Sequence, residues 1–401
     1  MKIDDKTSHN SPSLRFPEFT GEWEKCVLGD YGKVVTGNTP PTKDIENYEN
    51  GTYLWASPAD LGTHKLISET KTKLSSKGFT KTRPLSKGSV LVTCIGSTIG
   101  KTGMATREMS TNQQINSIVV NENNDNEFVY YVVQSAFPHY LSSIAVQAVP
   151  IISKSSFELL PSKRPSLQEQ NKIGKFLSLL DERISTQHRL IDRLQSLIKG
   201  IMVKLQQQGL SKGTWKRVPL SSILKERTEL NEGLLPVYSV SVSQGVVNQM
   251  EYLGRSFAAK DTSKYHVAHF GDLIYTKSPT GSFPYGIVKQ NSNRYKVAVS
   301  PLYGVYTPAN YFTGVFLQEY FKSEVNTFNY LHSLIQKGAK NTINITNQRF
   351  LDNYILIPTD SNDLQQISNL LLRLNAKKDL MQNMLQQYQE QKQYLLRQMF
   401  I

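Results

Sequence analysis

The sequence predicts an α+β chain: two α/β domains in tandem repeat, each followed by a long helix, with the two helices pairing as an antiparallel coiled coil. Three observations predict this. Landmarks of the first half recur in the second in the same order, a heptad pattern occurs twice in one register, and a short polar segment at residues 206–214 separates the copies. A chain of 401 residues, 39% hydrophobic and 20% charged, has the length and the apolar content for more than one core.

Trp23 and Leu28 near the start are matched by Trp215 and Leu220, an offset of 192 residues. Residues 85–105 then align with 268–288, each reading as strand, glycine-containing loop, strand. The aromatic, helix-compatible segment 126–135 faces 314–323, and residues 150–165 face 343–358, with Phe157 opposite Phe350. The expected boundaries are a flexible tail over 1–15, a first domain over 16–165, its helix over 166–208, a second domain over 209–358 and its helix over 359–401.

The helices are the clearest signal. Ile173, Leu177, Leu180, Ile184, Ile191, Leu194, Ile198 and Ile201 alternate in steps of three and four, with Gln187 filling one seam position. Ile367, Leu371, Leu374, Met381, Leu385 and Leu395 repeat the register, with Lys378 and Lys392 intruding. Some forty residues at 1.5 Å rise make a rod of about 60 Å. A lone seam of this kind normally serves oligomerisation; two in one register within one chain predict that each buries the other.

Lys and Arg exceed Asp and Glu by 13, which favours a polyanionic partner. The excess is clustered. Lys71, Lys73, Lys77, Lys81 and Arg83 lie with Lys65 and Lys87 in a stretch holding one acid, Glu69, among Ser, Thr and Gly. Such residues on irregular backbone suit phosphate contact. The second half offers Lys260, Lys264, Lys277, Ser278 and Thr280, then Lys337, Lys340, Asn341 and Asn344 in one turn. Arg and Lys suit guanine and Asn suits adenine in a major groove. A solvated charged face accounts for any one of these residues alone; their clustering in both repeats favours nucleic acid.

Residues 96–103, GSTIGKTG, resemble a phosphate-binding loop but have three residues where that loop needs four between Gly and the Gly-Lys pair, and a strand rather than a helix is expected to follow. Ser97, Thr98, Lys101 and Thr102 in this loop are read instead as DNA contacts. The lone Pro-Pro, Pro40-Pro41, lacks the flanks of a methyltransferase loop, and no nuclease, helicase or zinc-protease motif is found. Cys26 and Cys94 have neither disulfide-framework nor metal spacing and are expected to pack. No catalytic residue, metal ligand or cofactor is assigned to this chain. With no apolar run of eighteen residues and no apolar leader at its start, it is expected in the cytoplasm, off the membrane.

Residues 12–37, PSLRFPEFTGEWEKCVLGDYGKVVTG, and residues 166–184, SLQEQNKIGKFLSLLDERI, resemble the specificity subunits of type I restriction-modification systems, and so do the ends of both helical segments. The likeness covers nearly the whole chain. It implies a non-catalytic subunit that binds double-stranded DNA at a bipartite site, one half per target-recognition domain, with the helices as the ruler. It also implies two adenine methyltransferase subunits and restriction subunits as partners, which would supply S-adenosylmethionine, ATP and Mg chemistry. In the second copy Asp363-Leu364 stands where the first has Glu169-Gln170. A phage-type DNA-binding decoy and a coiled-coil scaffold without a DNA role remain as alternatives.

Overall fold

The computed structural model describes residues 11–143, 151–255, 258, 261–337 and 343–400. Two compact units divide the chain, one of residues 1–188 with 384–401 and the other of residues 189–383. Each unit therefore takes part of both long helices, whereas the sequence places each helix after its own domain.

In the first unit, strand β1 (Glu24–Val27) leads into β2 (Gly32–Thr36), followed by β3 (Tyr53–Ala56), β4 (Leu66–Ile67), β5 (Thr72–Leu74), the short helix α1 (Ser76–Thr80), β6 (Val90–Thr93), β7 (Thr102–Ala105), β8 (Ser110–Thr111) and β9 (Ile115–Val120). Helix α2 (Asn126–Ser143), α3 (Lys154–Glu158) and β10 (Pro161–Arg164) precede the first long helix, α4 (Leu167–Lys212). The main sheet has the order β2-β9-β6-β7-β4; β5-β3-β8 form a second sheet, and β1 pairs with β10.

The second unit carries β11 (Trp215–Pro219), β12 (Leu224–Glu226), β13 (Tyr238–Ser241), β14 (Gly245–Asn248), α5 (Gln249–Leu253), β15 (His266–Ala268), β16 (Leu273–Tyr275), β17 (Val288–Gln290), β18 (Val297–Val299) and β19 (Gly304–Pro308). Then come α6 (Tyr311–Phe321), α7 (Glu324–His332), β20 (Gln336–Lys337), β21 (Ile343–Asn344), α8 (Asn347–Asp352), β22 (Tyr354–Pro358) and the second long helix, α9 (Ser361–Gln398). Its sheet order, β12-β19-β16-β17, repeats β2-β9-β6-β7, and β11 pairs with β22 as β1 does with β10.

The repeat extends to the cores. Trp23 meets Phe128 edge-on at 5.9 Å, and Trp215 meets Phe316 edge-on at 5.6 Å. Leu28 and Leu220 are fully buried, as are Phe157 and Phe350. Large apolar side chains at matched places define the same pocket twice, since close packing leaves few ways to fill it.

Within the first unit the opening of α4 lies beside the close of α9: Asp181 Oδ1 is 2.7 Å from Lys392 Nζ, and the Arg183 guanidinium sits 5.4 Å over the Tyr388 ring. In the second unit Leu194, Ile198 and Met202 of α4 share a cluster with Leu371 of α9, flanked by Ile367, Leu374 and Met381. The helices are thus antiparallel. Their seams do more than face each other. Ile173, Leu177 and Leu395 join the core around Trp23 and Phe128, with Leu180 against it, and Leu371 joins the core around Phe316. Ile184, Ile201 and Leu385 are half-buried, Ile191 is buried, and Met202 rather than Ile201 enters the core. Heptad spacing marks a buried stripe without saying whether a helix or a domain covers it.

Of the expected tail, residues 1–10 lie outside the described residues. Leu14 donates its N–H to the Gln398 carbonyl at 2.9 Å, and Arg15 makes two 2.7 Å bonds to Glu169. Glu169, which also accepts from Trp23 Nε1 at 3.3 Å, is held by these donors in a buried site. Its neighbour Gln170 accepts from the Asp125 N–H at 3.1 Å and donates to Asn124 Oδ1 and the Pro165 carbonyl. Leu364, its counterpart, lies in the apolar core instead. Replacing Gln170 with Leu should therefore destabilise the protein by about 1–3 kcal/mol, because buried polar groups lose their partners. Leu364→Gln should destabilise by a similar amount, by burying an amide among apolar groups. Equilibrium urea unfolding measures both, and a neutral result for Gln170→Leu would contradict the assignment.

Candidate nucleic-acid interface

A surface bearing several exposed polar side chains in the first unit is assembled by hydrogen bonds between segments far apart in sequence. Strand β2 ends at Thr36, and Gly37 lies so close to the β8–β9 turn that a Cβ there would stand 2.3 Å from the Thr111 and Asn112 carbonyl oxygens. That approach lets Gly37 N–H donate to Ile115 and Asn38 N–H donate to Thr111. Asn38 also donates from its side chain to the Lys81 carbonyl at 2.8 Å, and Arg83 donates to the Thr36 carbonyl at 2.8 Å. On the other side of the turn, Cys94 N–H donates to Gln114 at 2.8 Å, joining it to the β6–β7 loop. Residues 81–83, 36–39, 111–115 and 94–101 are so brought into one neighbourhood.

The β6–β7 loop turns through Gly96 and Gly100, with φ of +86° and +89°, a region that other residues enter at a cost. As expected, a strand follows it. Ser97 and Lys101 are exposed, Thr98 is half-exposed, and Lys101 has no acidic partner among the described residues. Thr102 departs from the reading as a contact residue. It is the first residue of β7 and is buried, 6% exposed, so its hydroxyl points away from any ligand at the surface. Cys94, buried behind the loop, has its thiol pushed up to about 12 by loss of solvent, which makes it inert packing.

The lysine cluster is less unspent than its sequence suggests. Lys73 pairs with Glu69 at 2.7 Å, Lys77 with Glu46 and Asp44, and Lys81 with Asp44 at 3.0 Å and Asn47 at 2.8 Å. The hydrogen bond from Lys81 holds the Asp44 carboxyl below its usual range, and Glu46 raises the Lys77 ammonium. Both acids lie more than thirty residues upstream of these lysines, beyond any local reading of charge. Lys71 is exposed and bonds through its backbone N–H to Asp60. Lys65 is drawn inward, contacting Glu127, Tyr131 and Ser178.

In the second unit the β16–β17 loop is the counterpart. Val92 pairs with Thr102 across the first loop and Tyr275 with Val288 across the second, so the second is longer by three residues. Lys277 opens it with a left-handed φ of 59°, half-buried, its ammonium shifted down by desolvation. Ser278 is exposed, and Thr280 exchanges backbone hydrogen bonds with Phe283, closing the tip. Lys264 is exposed. Lys337 and Asn344 stand in β20 and β21, their side chains outside the described set, and Lys260, Lys340 and Asn341 lie outside the described residues.

Residues 20–196 match the family model for the type I restriction modification DNA specificity domain. Over that span the chain is similar to the specificity subunits of type I restriction-modification systems. It is 28% identical over 182 residues to the MjaIX specificity subunit of Methanocaldococcus jannaschii, covering 44% of this chain and 42% of that one. With the MjaVIII specificity subunit of the same organism the identity is 27% over 247 residues, covering 58% and 55%. The chain spans about half the length of the curated relatives it matches. The S subunit from M. genitalium superposes with a TM-score of 0.64 at 14% identity, over 98% of this chain and 99% of that one, a likeness of fold.

Sequence reasoning missed Asn38, Thr39, Gln113 and Gln114, which edge this surface. It also missed Lys289 in β17, buried, its Nζ donating to the Val242 carbonyl at 2.7 Å. Desolvation, aided by Lys322, pushes Lys289 down to about 8. A lysine with a folded pKa below its unfolded 10.5 binds more protons when unfolded, so stability should rise as pH increases from about 8 to about 10. Above that, ionisation of tyrosines in the unfolded chain opposes the gain. Thermal unfolding across this window should show the rise, and Lys289→Met should remove it; an equal rise in the variant would assign it elsewhere.

Proposed function

We propose that this chain is the DNA-binding specificity subunit of a type I restriction-modification complex. It reads a bipartite duplex target, one half-site through residues 16–165 and the other through residues 209–358, with the unread gap set by the helix pair. It directs two adenine methyltransferase subunits and the restriction subunits to that target. The observation that carries the reading is the duplication itself: in both units a basic, hydroxyl-bearing loop leaves the same place in a sheet of the same order. One protein thereby presents two reading surfaces on one scaffold. The chemistry belongs to the partners, and S-adenosylmethionine, ATP and Mg are assigned to them. Among the described residues no helix is long and apolar enough to cross a membrane.

Phosphate contact makes duplex affinity fall with salt, with a slope of about 0.9 per neutralised phosphate. Lys101→Ala should lower affinity for every sequence alike and reduce that slope by about one unit. Asp44→Asn should do the reverse: releasing Lys77 and Lys81 from their shared acid should tighten binding and steepen the slope. Anisotropy titrations of labelled duplexes from low to moderate salt measure both. If neither variant moves the slope, this face does not meet the backbone; salt-independent or absent binding by the parent chain with its methyltransferase partner would remove the DNA reading altogether.

A further inference from the structure

On this polar surface Gln113 projects from the β8–β9 turn into solvent, and its support is unusually complete for an exposed side chain. Thr39 donates its hydroxyl proton to Gln113 Oε1 at 2.5 Å. The turn beneath is tied internally: Gln114 N–H donates to Asn112 Oδ1 at 3.0 Å, and Asn112 Nδ2 donates to Gln114 Oε1 at 3.1 Å. Thr36 donates to Asn116 Oδ1 at 2.6 Å, and Asn112 N–H donates to the Ala56 carbonyl at 2.9 Å. Segment 37–39, which carries Thr39, is pinned to the same turn by the two backbone bonds from Gly37 and Asn38. An exposed glutamine ordinarily has several rotamers to lose on binding; this one has its carbonyl end fixed and its backbone braced on both sides.

With Oε1 on Thr39, no described residue accepts from Gln113 Nε2, so the amide protons face outward while Oε1 keeps a second lone pair. That is the donor and acceptor pair that an adenine meets in the major groove, N7 accepting and N6 donating. Lys101, Ser97 and Arg83 flank the turn through the backbone bonds of Cys94 and Thr36 and can hold phosphates on either side.

Resting on the proposed function, we infer that Gln113 reads one adenine of the half-site recognised by the first domain, and that Thr39 is the residue that positions its amide. Gln113→Glu replaces the outward donor with an acceptor, which repels adenine N7 and suits the amino group of cytosine.

The test uses the full chain with its methyltransferase partner and maps methylated adenines across a host genome. The parent should give a two-part motif. Gln113→Ala should relax one A·T position of one half by on the order of tenfold or more, leaving the other positions and the second half intact. Gln113→Glu should shift preference at that position away from adenine, and Thr39→Val should weaken it without changing the base preferred. The untouched half-site reports in the same experiment that each variant is folded. A Gln113→Ala motif identical to the parent's at every position overturns the inference while leaving the proposed function standing. A parent that yields no two-part motif overturns that function and this inference with it.

Discussion

The burial of long-helix side chains inside the globular cores is the constraint on which the rest of the structure depends. In the first unit, Ile173 and Leu177 from the opening of α4 and Leu395, Leu396 and Met399 from the close of α9 lie in one cluster with Trp23 and Phe128. Phe400 stacks on Phe128 at 5.5 Å and meets Trp23 edge-on at 6.3 Å. Each buried side chain of this kind contributes about 1.5–3 kcal/mol by leaving water. A core that borrows side chains from both helices cannot close without them, so the first unit is complete only when the last residues of the chain have docked. Contacts that far apart in sequence are costly to nucleate, which predisposes the fold to slow closure.

The repeat was legible because its markers are bulky and ordered: Trp23 with Trp215 and Phe157 with Phe350 occupy equivalent buried sites. The two helices were legible because their apolar period is regular over many turns. What the stripes face was not, since a heptad seam fits a core as well as a partner helix. The surface was read only in part. Lys77 and Lys81 looked unspent because Asp44 and Glu46 reach them through the fold, and Thr102 looked like loop because the apolar residues of its strand, Met104 and Ala105, come only at the far end. Gln113 gave no signal at all: exposed polar residues follow no period, and its significance lies in a hydroxyl 74 residues away.

Where the copies differ, they differ by chemistry laid on a shared frame. Gln170 ties polar backbone where Leu364 fills apolar space, and Asp181 accepts from Tyr131 and Lys392 where its counterpart Asn375 accepts from Lys322. The loops that leave equivalent strands differ in length by three residues and in the order and spacing of their Lys, Ser and Thr residues. A scaffold held constant by packing, with surfaces free to diverge, is what the proposed reading of two unlike half-sites requires.

The central claim is that one chain delivers two independent readings of a duplex. Exchanging residues 29–155 for the corresponding span of a relative with a different specificity leaves Trp23, Phe157 and both helices in place, and the methylated motif of the chimera reports the outcome directly. The account predicts that one half of the motif changes to the donor's, while the other half and the number of unread bases between them stay as in the parent. A motif that changes in both halves, or in neither, would contradict it.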